Sequence, residues 1–342
     1  MSAIQAYLSL PAILAGAIAA SLNVYALSAG ADFGGGVWDL LATGARRDRQ
    51  RALIAEAIAP IWEANHVWLI LVVVLLFTAF PPVFARLMTV LHIPLTLILL
   101  GIVLRGSAFT FRSYDSRRDT VQRRWSRIFA IASTVTPLLL GTVLGAIATG
   151  TVSDRLISTS SSFADAFVRP WFQPFPLVVG VLALALFAFL AAVYLAVEAT
   201  DASLRDDFRR RALWAAAAVA LMASVALLLA RSGAPLVWTA LTQGTIALGL
   251  RLAAALASLA AVFALWSRSY RLARVAAITE VSLIVWGWAL AEFPYLVPPD
   301  LTVQNSAAPV ATLRLLLWAL LAGLALLIPS LRYLFKIFKT VT

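Results

Sequence analysis

Asp32, Glu63, His66 and Glu280 each sit inside an apolar stretch, where an ionisable side chain is least expected. Charge within hydrocarbon costs roughly 2.5–3.5 kcal/mol on insertion scales, so each of the four asks for a reason. Glu63 and His66 are spaced i, i+3 and share a helix face. Asn65 adds an amide beside them, and Trp62 and Trp68 flank the group. A carboxylate, an imidazole and an amide on one buried stretch can hold water and pass protons. The same residue types also serve as static glue between helices, and both roles stay open here.

The acidic residues agree in depth. Asp32 lies roughly ten residues before the first arginine-rich loop and Glu63 roughly ten after it; Glu280 follows a later arginine-rich loop by roughly nine, which at 1.5 Å per residue puts all three about 13–15 Å from the same end. His92 precedes Ile93-Pro94 and reads as a hydrogen-bonded residue beside a proline break. Gly34-Gly35-Gly36 after Asp32 allows either a close helix approach or a kink. It is not a phosphate loop, because no Lys-Ser/Thr follows.

The chain has no cysteine, so disulfides, thiolate metal sites and thiol nucleophiles are excluded. His66 and His92 are the two histidines, too few for a self-contained multi-histidine metal or haem site.

The elements that must carry these residues are membrane helices. The 342 residues are 62% hydrophobic and 13% charged, far more apolar than a soluble domain. With a spanning helix needing about 20 apolar residues, nine candidates appear, over 8–40, 54–80, 82–106, 126–150, 172–198, 211–231, 246–266, 272–293 and 310–335. Phe80-Pro81-Pro82 should break the second from the third. No basic stretch precedes the first run, which is therefore expected to be a retained helix rather than a signal peptide.

The net charge of +11 would suggest nucleic acid in a soluble protein. Here 21 of the 27 basic residues fall in alternate short loops: Arg46–Arg51, Arg105–Arg127, Arg205–Arg211, Arg268–Arg274, and the terminus with Arg332, Lys336 and Lys339. That alternation argues against nucleic acid. It fits nine spans, the N-terminus outside and the C-terminus in the cytoplasm. The longest outside loops are about 151–171 and 294–309, and no internal repeat is evident.

The stretch Pro60-Ile61-Trp62-Glu63-Ala64-Asn65-His66-Val67-Trp68-Leu69-Ile70 resembles the signature of subunit II of cytochrome bd-type quinol oxidases. Phe77-Thr78-Ala79-Phe80-Pro81 matches that family's continuation. Gly30-Ala31-Asp32-Phe33-Gly34-Gly35-Gly36 looks like its upstream acidic segment, and Arg105-Gly106 to Phe111-Arg112-Ser113 like its third segment. Phe293-Pro294-Tyr295 through Pro298, then Leu301-Thr302-Val303, is similar to its last outside loop. Glu63 with His66 looks most like the cyanide-insensitive branch. Three positions depart: Ala29 stands where the family has a first acidic residue, Glu63 where aspartate is commoner, and Ala64 where glycine is commoner.

The resemblance implies an all-α polytopic fold of nine transmembrane helices, as two four-helix bundles (1–150 and 151–293) plus an outer loop and peripheral ninth helix (294–342). It implies a supporting subunit of a bacterial inner-membrane terminal oxidase that oxidises quinol, reduces dioxygen to water and takes protons from the cytoplasm. The chain itself would ligate no haem. The haems, b and d-type or b only, would belong to a larger partner subunit. The resemblance also allows a structurally bound quinone and a small single-helix subunit. Glu63, His66, Asp32, Asn65 and Glu280 are the proton-path candidates; Trp62, Trp68 and Arg105 are offered as contacts toward the partner or the haem side. Two rivals remain open: a secondary transporter or permease, and a scaffold without chemistry.

Overall fold

The computed structural model describes residues 9–58, 62–114, 119–153 and 162–340, with side chains left out at 58, 62–64, 112–114, 119–123 and 334–340. Its helices are α1 (Leu10–Leu40), α2 (Arg47–Ile58), α3 (Trp62–Ala79), α4 (Pro81–Val90), α5 (His92–Tyr114), α6 (Asp119–Ala148) and α7 (Phe163–Phe167). They continue with α8 (Pro174–Glu198), α9 (Ala202–Gly233), α10 (Pro235–Thr242), α11 (Thr245–Trp266), α12 (Tyr270–Glu292) and α13 (Val310–Thr340).

Eight of these helices are long and apolar enough to cross a membrane, and α3 with α4 makes a ninth if that bent pair counts as one span. The protein is therefore an all-α polytopic membrane protein, as expected. The helix ends follow local chemistry. The hydroxyl of Ser9 accepts from the Ala12 amide, and Pro11 sits in the first turn of α1, where its missing N–H costs nothing. Asp201 caps α9 by accepting from the Ser203 amide at 2.7 Å.

Two boundaries differ from the expected ones. The second span was expected from residue 54, but the helix described there, the arginine-bearing α2, begins at Arg47. The third was expected to begin at 82. Instead α4 turns 116° away from α3 at the Phe80-Pro81 break, and the spanning helix begins at His92. Pro94 lies in its first turn, where proline is tolerated, so the apolar run 82–106 holds two helices rather than one. The segment between α12 and α13 also holds a short antiparallel pair, β1 (Tyr295–Val297) with β2 (Leu301–Thr302).

In the first half α1 packs on α3 and α6, and α5 on α6. In the second, α8 packs on α9 and α12, and α11 on α12. The halves join through α8, which is sheathed by α6 and α1. Phe189, Leu190, Ala192, Val193 and Ala196 of α8 are completely buried. The indole of Trp38 on α1 donates to the Ala188 carbonyl of α8 at 2.8 Å. α13 touches α1 and α3 and is otherwise mostly exposed, as an apolar helix facing lipid would be.

The glycine segment resolves toward close approach. α1 runs unbroken to Leu40, and a Cβ on Gly34 would overlap the Phe187 carbonyl of α8. One on Gly36 would overlap Ser133 of α6. These glycines let three backbones meet around Asp32.

Candidate functional site

Asp32 is 1% exposed, and each of its carboxylate oxygens has a partner from another helix. One accepts from the guanidinium of Arg105 on α5. The other accepts from the Asn65 amide of α3 at 3.1 Å. Arg105 is itself 2% exposed and donates from Nε to the Ser133 hydroxyl at 3.0 Å. A second donation reaches the Asp32 carbonyl at 3.4 Å. Its Cζ lies over the rings of Phe33 and Phe129, 4.7 and 4.9 Å from their centroids. A guanidinium with that many partners satisfies the rule that a buried charge must be paired and hydrogen-bonded.

Arg105 therefore does not belong to the loop in which the arginine count placed it. It sits inside α5, and the charge asymmetry rests on the remaining loop arginines. It faces Asp32 within this chain. Sequence reading alone also misses Ser133, Phe33 and Phe129, the neutral residues that hold it.

His66 is half-buried one position beyond Asn65, within electrostatic reach of Asp32 and Arg105. Its Nδ1 and the Oδ1 of Asn65 are buried and have no hydrogen-bond partner among the described residues. Trp68 packs against the main core. Glu63 and Trp62 lie on α3, but their side chains fall outside the described residues. His92 heads α5; its Nδ1 lies 2.9 Å from the Thr89 carbonyl and its ring packs on Phe163 and Phe167.

Glu280 is buried on α12, close to Ser258 of α11. Asp32 and Asn65 thus meet, whereas Glu280, expected at the same depth as Asp32 and Glu63, makes no hydrogen bond to either Asp32 or Asn65 among the described residues. A further buried carboxyl, Glu292, ends the same helix next to Trp288.

Two further members share a face with Asp32. Tyr25, Asp32 and Asp39 are spaced by seven residues along α1, and all three are buried. Seven residues are two helical turns, about 10.5 Å. Asp39 stands at the arginine-rich end, 3.5 Å from Arg51 Nε. Tyr25 stands two turns deeper than Asp32, with its hydroxyl buried. The i, i+7, i+14 repeat of polar residues was the signal that could have found them.

Next to Asp39 a second polar cluster ties α2 to α9. Asp207 accepts from Arg46 at 2.6 and 2.8 Å and from Gln50 at 2.9 Å, and Gln50 accepts from Arg211 at 2.8 Å. Arg49 pairs with Asp201. Among the described residues no group of three or more His, Cys, Asp or Glu could hold a metal ion.

The family model described as cytochrome bd terminal oxidase subunit II matches residues 10–338. A Bacillus subtilis (strain 168) protein named as a cytochrome bd menaquinol oxidase subunit II is 25% identical over 327 residues, covering 92% of this chain and 91% of that one. The cytochrome bd-I ubiquinol oxidase subunit 2 of Escherichia coli (strain K12) is 29% identical over 155 residues, covering 44% of this chain and 39% of that one. A chain in the structure of bd oxidase from Geobacillus thermodenitrificans has the same fold, with a TM-score of 0.78 at 21% identity, over 96% of this chain and 98% of that one. With the Trp62–Ile70 motif and the Asp32 cluster in place, the match over nearly the whole chain leaves no room for a transporter: this chain belongs to the cytochrome bd terminal oxidase subunit II family and is a subunit of a terminal quinol oxidase.

Proposed function

We propose that this chain supports a larger haem-bearing subunit and carries protons toward it from the arginine-rich side, which is the cytoplasmic side. The observation that carries the reading is the file of buried polar residues along α1 and α3: Asp39, then Asp32 with Asn65 and His66, then Tyr25. Glu63, one turn from His66 on α3, belongs with them by position. Within the file the labour divides. Both oxygens of Asp32 are spent on Arg105 and Asn65, so Asp32 fixes the geometry. Among the described residues His66 Nδ1 and Asn65 Oδ1 have no partner, which favours placing the moving proton on the α3 face with Glu63 and His66.

The haems belong to the partner. His66 stands near the arginine-rich end of α3, and His92 follows the far end of that helix. About 13 residues of helix, roughly 20 Å, separate His66 from Ala79, so the two histidines cannot grip one haem between them. The exposed apolar surfaces of α3 and α5, including Ile70, Phe77, Leu99 and Val103, offer area for a partner or lipid. The substrates of the assembled complex are quinol and dioxygen. A bound quinone here would be structural.

The test is Glu63→Gln in the complex purified through a tag on this chain. Quinol-driven oxygen consumption should fall while the haem spectrum stays normal. Full activity with intact haem contradicts proton delivery by Glu63; loss of haem assigns it a structural role.

A further inference from the structure

A cleft of about 540 Å³ opens at the arginine-rich end, where the turn between α8 and α9 meets the turn between α11 and α12. Arg205, Arg268, Arg271 and Tyr270 line it, together with Val197 and Leu272. Its charge is unbalanced. Asp206 stands 3.7 Å from Arg268 but is already engaged by Arg209 at 2.9 Å and Arg210 at 3.1 Å. Arg205 braces the wall by donating to the Ala199 carbonyl and lying 5.5 Å over the Tyr270 ring. Arg271 is exposed on the rim.

The backbone adds an independent observation. Arg268 has φ 60°, the left-handed conformation that favours glycine. It occupies the left-handed position of the motif that ends α11: the Ser269 amide reaches back to the Ala264 carbonyl at 2.8 Å and the Arg268 amide to the Leu265 carbonyl at 3.3 Å. The guanidinium of Arg268 is thus carried on the cleft rim at a position where glycine is the commoner residue.

Below the cleft the surface turns apolar. Leu272, Val275 and Trp266 are 52%, 60% and 76% exposed on α11 and α12. A cationic pocket above an apolar rail matches an amphiphile with an anionic head.

We propose that this cleft binds the phosphate headgroup of an anionic phospholipid, with the acyl chains along Leu272 and Val275. Arg268 and Arg271 supply the charge, and the Arg205–Tyr270 pair forms the floor. The site is independent of the proton file and of the oxidase reading.

The test uses the complex purified through a tag on this chain. Retention of phosphatidylglycerol and of phosphatidylcholine is compared by native mass spectrometry, with inorganic phosphate as competitor. Arg268→Gly is the informative variant, because it removes the charge while placing glycine at a left-handed position. It should keep or raise the melting temperature, yet weaken phosphatidylglycerol retention roughly fivefold, the fold-change for one arginine near an anionic surface. Adding Arg271→Gln should weaken it by about as much again. Phosphatidylcholine retention should not change. Equal retention of both lipids, or unchanged phosphatidylglycerol binding in the double variant, overturns the proposal. Strong phosphate binding without lipid preference overturns the lipid source and assigns the cleft to a free phosphate.

Discussion

Removing one member of the Asp32–Arg105 pair should be the most destabilising polar change in the first half of the chain. Both groups are almost completely buried, Asp32 at 1% and Arg105 at 2% exposure. In Asp32→Asn the guanidinium loses its counter-charge but keeps Ser133 and the two rings. Breaking a buried pair from one side costs about 3–5 kcal/mol. The partners left behind offset part of that, so the lower end is expected. Arg105→Met strands the carboxylate with a single amide donor and should reach the upper end. At roughly 2 °C per kcal/mol for a chain of this size, the losses are about 6 and 10 °C in melting temperature. The double variant removes both charges and should be less damaging than the sum of the singles by about 0.5–3 kcal/mol. The assay is the thermal transition of the tagged complex, run as a double-mutant cycle. Strictly additive losses, or an Asp32→Asn protein as stable as wild type, would refute the pairing and its role in setting the geometry of α3.

Gly36→Ala should cost about 1–3 kcal/mol, because a methyl there overlaps Ser133 and displaces the hydroxyl that Arg105 uses; a thermal melt reads it. Glu280→Gln should leave oxygen consumption near wild type while Glu63→Gln lowers it, since Glu280 sits on α12, outside the α1 and α3 file; parallel oxygen-electrode assays separate the two. Asp207→Asn should cost only about 0.5–1 kcal/mol, because Arg46 remains 46% exposed in the pair, and the cost should shrink in high salt.

Much of this was legible in the residues. Apolar length located most of the spans to within a few positions, and Phe80-Pro81-Pro82 marked the break where α4 leaves α3. The family resemblance rested on the Trp62–Ile70 motif, and the fold match agrees with it. Other features depend on rotation and packing, which periodicity does not carry. Arg105 looks like any loop arginine until α6 supplies Ser133 and Phe129. Glu280 has the depth of Asp32, but which way it points is set by α11. The turn between α4 and α5 is hidden because both helices are apolar and contiguous. Asp39 was legible and overlooked: its seven-residue spacing from Asp32 marks one helix face.

The central claim is that protons enter on the arginine-rich side through the α1 and α3 residues. The most direct measurement is proton uptake during a single turnover, in proteoliposomes with the arginine-rich side outward and a pH dye in the outer medium. Wild type should take up protons from that medium. Glu63→Gln should slow the uptake with haem content unchanged. Uptake at the wild-type rate in Glu63→Gln, or uptake from the opposite side, would contradict the account.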